Sequence, residues 1–412
     1  MKVLWFSPTP VNYSEETWAH NGGGWINSLQ NIVKSIENID LGIVFESTQK
    51  LEKKFVNEVC YYPIIKDFTL KEKLNKSHQN SMLINKAIRI IKDFKPDVIH
   101  LFGSESWYGL LVNHTDIPIV IHMQGSLPSY YNARYPAGMS VWNKIVSTKT
   151  TLLQKLMAFR IDRTFHKNAL QEESILKANH YFMGRTHWDK AIVNFYNPEA
   201  TYFECQEALR DSFVNTKQKW TYKVVNKIKL ISVISGPLYK GVDVILKTAQ
   251  LLKTHSSIDF EWNICGISNS DLIESVYKIK ANDVNVNYLG VLDQDVLKNK
   301  LLNSSFYIHP SYIDNSPNSV CEAQILGVPV IACNTGGLRT IIKDKKTGFL
   351  VPANDPLMVA HLIEKMWDNR DVLEKISSAA VAQATERHDK EIIKEQLFSV
   401  YSQMIKFNMS NI

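Results

Sequence analysis

Short apolar runs rich in β-branched and aromatic residues recur along the chain, separated by stretches in which apolar positions return at three- and four-residue spacing. KVLWF, GIVFES, DVIHLF, IPIVIH and HYFMG lie in the first half, and KIKLISVIS, FEWNICG, VNYLG, SFYIHPS, VPVIAC and GFLVP in the second. Runs this short and apolar predict strands, and strands alternating with helices predict βαβ units and parallel sheets covered on both faces. They are too many for one comfortable sheet. The expected fold class is therefore α/β, with two facing, doubly wound Rossmann-like domains. The passage from Asn197 to Asn226 is polar and strand-poor, and marks the junction. The division expected is 1–200 and 201–390, with 391–412 a terminal helix whose KEIIKEQLFSVYSQMIKF pattern lets it pack on either domain, including back on the first.

Length agrees with this division, since 412 residues correspond to about two domains at roughly 150 residues each. The hydrophobic share of 45% and charged share of 21% are those of a globular protein, and no apolar run approaches the roughly 20 residues that span a bilayer. MKVLWFSPTPV is apolar only from Val3 to Phe6 before a Ser-Pro turn, which reads as a first strand and not a signal peptide. A cytoplasmic protein is expected. The five cysteines are scattered and lack metal-ligand spacing, so they read as reduced core thiols, with no metal site. The net charge of +6 is mild and no basic cluster is interleaved with aromatics. Nucleic acid is thus not the expected partner, and anionic small molecules or an anionic membrane surface suit the charge better.

Candidate chemistry concentrates at the carboxyl ends of predicted strands, where ligands bind in open parallel sheets. After SFYIHPS, Ser316 reads as a helix N-cap and Pro317 as the first helical residue, with the helix ending at Gly327. The backbone amides of Asn318, Ser319 and Val320 then form an anion site suited to a diphosphate. Asp314 and Glu322 flank it, and carboxylates beside an anion must address neutral, hydroxyl-rich groups such as sugars. In VISGPLYKGVDVILKTAQLL the strand-to-helix loop delivers Lys240, a compact charge for a phosphate. NGGGW lets the backbone at Gly22, Gly23 and Gly24 approach a ligand but is not a dinucleotide fingerprint. His122 ends the strand IPIVIH. Arg185 holds the same topological position in MGRTHWDK, where Thr186 and Asp189 predict a capping box. Each stretch alone also fits a plain alternative: a capped helix, a surface lysine, a flexible loop, a structural histidine.

Taken together, these segments resemble the retaining glycosyltransferases of family 4, which have the GT-B fold. The resemblance covers essentially the whole chain and is strongest from Lys229 to Pro352, through the KG turn, HPSYIDNSPNSVCEAQILGVPVIACNTGG and KTGFLVP. It implies that Glu322 holds the donor ribose, Asp314 faces the donor sugar, and Lys240 pairs with the diphosphate beside Gly236 and the amides after Pro317. His122 would lie beside the donor sugar, and Gly23 and Gly24 near the donor phosphate. Two departures stand out: the first acid of the family's paired-glutamate motif is Asp314, and Ser235, Gly236 and Pro237 occupy the turn where many members carry an arginine. Arg185 is the expected substitute.

The activity implied is transfer of a sugar from a nucleoside diphosphate, UDP- or GDP-linked, to a glycan or lipid-linked acceptor. It would proceed with retention and without metal or other cofactor, in bacterial surface polysaccharide or glycolipid synthesis. An epimerase or phosphorylase of the same fold, or a catalytically silent nucleotide-sugar-binding protein, are the alternatives. Finally, residues 142–167 place Lys144, Lys149, Lys155, Arg160, Arg163 and Lys167 among Trp142, Leu156 and Phe159. That pattern fits peripheral contact with an anionic leaflet as well as a packed helix with a basic solvated face.

Overall fold

The computed structural model describes residues 1–13, 24–69, 72, 75–146, 151–236 and 238–410. Its strands form two sheets. The first has eight strands in the order β3-β4-β2-β1-β5-β6-β7-β8: β1 (Lys2–Ser7), β2 (Asp40–Ser47), β3 (Lys54–Val56), β4 (Val59–Ile65), β5 (Val98–Phe102), β6 (Ile119–His122), β7 (Tyr181–Gly184) and β8 (Thr201–Glu204). The second has six in the order β11-β10-β9-β12-β13-β14: β9 (Ile228–Val233), β10 (Phe260–Cys265), β11 (Val286–Gly290), β12 (Phe306–His309), β13 (Val330–Cys333) and β14 (Phe349–Val351). All pairings are parallel except the β3–β4 hairpin. The apolar runs of the sequence all become strands.

Burial explains why the runs are continuous. Along β1, Val3 and Trp5 enter one core cluster while Leu4 and Phe6 enter the other, so both faces of the strand are covered. The terminal helix Lys390–Ser410 supplies Ile393, Leu397, Val400, Tyr401 and Met404 to the first of these clusters. Each buried side chain of this size contributes roughly 1.5–3 kcal/mol. The Tyr401 hydroxyl also accepts from Trp5 Nε1 at 2.9 Å and lies 2.7 Å from His100 Nδ1.

By its internal contacts the chain divides into two compact units: Met1–Leu127 with Asn168–Arg210 and His388–Ile412, and Pro128–Lys167 with Asp211–Arg387. This differs from the division expected at 200/201 in two respects. The passage that looked strand-poor contains β8, which pairs with β7 and extends the first unit to Arg210. Residues 128–167 group with the second unit, where the Tyr130 ring meets Tyr239 at 5.0 Å and the Tyr277 hydroxyl donates to Ala137 O at 2.9 Å.

Candidate active site

In the second sheet β9 and β12 are neighbours, with the chain leaving them in opposite directions along the strand order. This is the topological switch point, where the loops after the two strands part and leave a crevice. Several bonds fix these loops to each other. Tyr312 N donates to Tyr239 O at 2.8 Å, and the Tyr312 hydroxyl donates to the buried Asp243 carboxylate at 2.8 Å. Gly241 caps the helix Val242–His255 with φ 76°, and a Cβ there would stand 2.1 Å from Pro310 O. Only glycine allows that approach. Gly336, at φ 52°, likewise lets the loop after β13 pass where a Cβ would lie 1.9 Å from Asp314 O.

The result is a buried ionic array. Lys240 Nζ donates to Asp314 Oδ2 at 2.6 Å, and His309 Nε2 lies 3.0 Å from the same oxygen. Asp314 Oδ1 accepts from Asn315 N at 3.2 Å. Burial opposes the charge of Asp314, but Lys240 and His309 outweigh it and hold the carboxyl well below the usual carboxylate range. Burial also works against the Lys240 ammonium, which the attraction of Asp314 nevertheless keeps above its ordinary value. His309 is lowered, first by burial, with Asp314 offsetting only part of the effect and Lys240 opposing a second cation. The structure adds a partner that the sequence does not indicate: Lys240 is held by Asp314. His309 was missed, although it ends a strand just as His122 does.

The helix beside this array runs Asn318–Leu326 and stops at Gly327 (φ 80°), as the sequence indicates. Its start is one residue later than expected. Pro317 is the N-cap, with ψ 121°, and no side chain caps the helix. Proline has no N–H to satisfy there, so the position costs nothing. Of the three amides expected to meet an anion, that of Val320 already donates to Pro317 O at 2.9 Å. Those of Asn318 and Ser319 occupy the first turn, where helix geometry supplies no partner. Ser319 Oγ accepts from the Tyr307 hydroxyl at 2.8 Å. Glu322 is buried at 3% exposure, and its charge contributes to the raised pKa of the Tyr307 phenol, which burial dominates. Gly236 adopts φ 84° with open space around it.

The remaining expected residues belong to the first unit. His122 ends β6, fully buried, against Trp25 at 4.9 Å and His100 at 5.4 Å between ring centroids. Burial, then His100 and Arg185, hold it well below the usual histidine range. Arg185 follows β7, buried, with its guanidinium 4.7 Å from the Trp25 ring, Nη2 donating to Met123 O at 3.4 Å and Nε 3.9 Å from Glu207. The expected capping box is present: Thr186 Oγ1 accepts from Asp189 N, and the Asp189 carboxylate accepts from Thr186 N, both at 3.2 Å. Gly24 opens the helix Gly24–Lys34, whereas Gly22 and Gly23 lie outside the described residues. This unit also holds a pair of acids, Glu105 and Glu172, that no motif of the sequence marks. Glu172 accepts from Ser104 Oγ at 2.5 Å and Leu127 N at 2.6 Å, and burial together with the charge of Glu105 pushes it up to about 8.

Comparison with known proteins fits this geometry. Residues 214–383 match the family model Glycosyl transferases group 1, a span that includes the whole Lys240–His309–Asp314–Glu322 array. The chain is 26% identical over 204 residues to the capsular polysaccharide biosynthesis glycosyltransferase CapM of Staphylococcus aureus, covering 48% of each. It is 32% identical over 99 residues to a D-inositol 3-phosphate glycosyltransferase of Streptomyces scabiei, covering 24% of this chain and 22% of that one. The chain therefore spans at most about half the length of these curated relatives. Among solved structures, sucrose-phosphate synthase from Thermosynechococcus elongatus superposes with a TM-score of 0.74 at 12% identity, covering 98% of this chain and 99% of that one. Anabaena HepE in complex with UDP-glucose gives 0.62 at 13% identity, covering 98% and 100%. The chain has the GT-B fold, and its residues 214–383 form a domain that matches the glycosyl transferases group 1 family.

Proposed function

We propose that the protein is a retaining glycosyltransferase that uses a nucleoside-diphosphate sugar, with UDP the first base to test because the similar HepE was solved with UDP-glucose. One observation carries the reading: a partly buried lysine and a buried carboxylate and histidine meet at the switch point of the second sheet, beside a helix start and the buried Glu322. In this reading Lys240 and the amides of Asn318 and Ser319 neutralise the leaving diphosphate where charge develops. Glu322 accepts from ribose hydroxyls, and Asp314 accepts from a hydroxyl of the donor sugar once Lys240 turns to phosphate. The bond from the anomeric carbon to the diphosphate breaks, the acceptor oxygen bonds on the same face, and its proton passes to the departing phosphate. In this reading Lys240 and the helix-start amides take the place of a metal at the diphosphate. Capsule-type polysaccharide synthesis is the setting suggested by CapM.

The test is a thermal-shift titration with UDP, GDP, ADP and UDP-glucose, with and without chelator, followed by a radiolabelled transfer assay. A ligand at 100 times its Kd adds about 2.7 kcal/mol to stability, or roughly 5–10 °C for a unit of this size. One nucleotide should give that shift irrespective of chelator, and Lys240→Ala and Glu322→Ala should abolish it. No shift with any of them would refute the reading.

A second observation supports a membrane-surface acceptor. Within 142–167, Trp142, Val146, Leu152, Leu153, Leu156, Met157, Phe159 and Ile161 are exposed, Leu152 at 75%. Lys144, Lys155, Arg160, Arg163 and Lys167 are interspersed with them; Lys149 lies outside the described residues. Apolar side chains in water beside cations suit an anionic leaflet. No described helix is long and apolar enough to cross a membrane, so the contact proposed is peripheral.

A further inference from the structure

The array around Asp314 contains one group that the proposed reaction does not use. His309 sits at the end of β12, fully enclosed, with its two ring nitrogens facing different partners. Nε2 faces Asp314 Oδ2 at 3.0 Å, the oxygen that also receives Lys240 Nζ at 2.6 Å. Nδ1 faces the Tyr307 hydroxyl oxygen at 3.3 Å, and that hydroxyl donates its own proton to Ser319 Oγ at 2.8 Å. A neutral imidazole with its proton on Nε2 therefore serves Asp314 and leaves a bare Nδ1 lone pair opposite an oxygen lone pair. A proton added at Nδ1 would find its acceptor already in place.

With both Lys240 and Asp314 charged the pair is neutral, and Lys240 opposes a second buried cation on His309. The balance changes if a diphosphate takes Lys240. Asp314 is then a buried carboxylate with the Asn315 amide and a neutral imidazole beside it and no cation. Glu322, the next acid, lies near enough to act on Tyr307 and adds negative charge to the same neighbourhood. We propose that His309 is the positioning residue that keeps Asp314 paired when the donor's diphosphate draws Lys240 away, by taking up one proton from solvent at Nδ1 as the nucleotide binds. The imidazolium then donates Nε2–H to Asp314 and Nδ1–H to Tyr307, and Asp314 stays in place for the donor sugar. This rests on the donor-site reading above.

Calorimetric titration of the full chain with UDP at pH 7.5, in two buffers of different ionisation enthalpy, counts protons directly. The wild type should take up about one proton per nucleotide bound, and His309→Gln should still bind UDP, more weakly, with that uptake lost. Equal heats in both buffers for the wild type, or undiminished uptake in His309→Gln, would overturn the proposal while leaving the donor site standing. No binding of UDP, GDP or ADP would remove the donor site and the proposal with it. Should His309→Gln fail to fold, Lys240→Met provides an independent readout without nucleotide. Losing the competing cation should raise the His309 pKa, read from its imidazole ¹⁵N shifts against pH, and an unchanged titration would refute the idea.

Discussion

The Lys240–Asp314 pair makes an asymmetric prediction about stability. Side-chain exposures are 14% and 9%, so neither charge is solvated as an exposed surface pair is. Breaking a buried pair by removing one member costs about 3–5 kcal/mol because the other charge is stranded. In Asp314→Asn the stranded group is Lys240, and His309 cannot help, being able only to add positive charge. The cation can at most shed its proton, which at pH 7.5 costs about 1.36 kcal/mol per unit from 10.4, or about 4 kcal/mol. In Lys240→Met the stranded group is Asp314, and His309 can be protonated to meet it, so the loss should be clearly smaller. Scanning calorimetry should show Asp314→Asn lowering the transition by roughly 6–16 °C, at about 2–4 °C per kcal/mol. Lys240→Met should lower it less, and the double variant by less than the sum. The sign with pH also follows. The folded pKa of Asp314 is depressed, so its stabilisation is complete above the unfolded value of about 4 and is lost as pH falls through the folded value. The gap between wild type and Asp314→Asn should shrink in acid below about pH 5, and should narrow again at alkaline pH as the stranded Lys240 sheds its proton at falling cost. Additivity of the two substitutions within about 0.5 kcal/mol would refute the coupling.

Gly241→Ala should be damaging beyond backbone strain, since its Cβ would meet Pro310 O at 2.1 Å and displace Lys240. Gly236→Ala has φ 84° but open space and should cost only about 1–2 kcal/mol; equal losses of UDP affinity in the two would contradict this account of the loop. Glu172, raised to about 8, binds its proton more tightly folded than unfolded. Wild-type stability should therefore fall as pH rises from about 4 to 8. Glu105→Gln, which removes the like charge beside it, should flatten that fall in denaturation curves taken across the range. Leu153→Ser/Leu156→Ser should weaken sedimentation with vesicles containing anionic phospholipid without altering UDP binding, and undiminished sedimentation would exclude these side chains from the contact.

The fold was legible because its strands are buried on both faces: a run such as IPIVIH needs no partner information to be read as β. The strands that escaped notice lack that signature. In β4 the run VCYYPII contains Pro63, and β3 is joined to it by Asn57 and Glu58, both at positive φ, a primed hairpin turn without its usual glycine. β8 is short, exposed at both ends and set in a polar passage. At the candidate site the sequence supplied the residue types and their loops, since strand ends in parallel sheets are where ligands gather. It did not supply their pairing. Lys240 and Asp314 are 74 residues apart, and only the adjacency of β9 and β12 in the sheet order brings their loops together. Topology therefore decides whether a lysine reads as an empty phosphate ligand or as one already held by a carboxylate. It also turns His309 from one more strand-end histidine into the third member of the array.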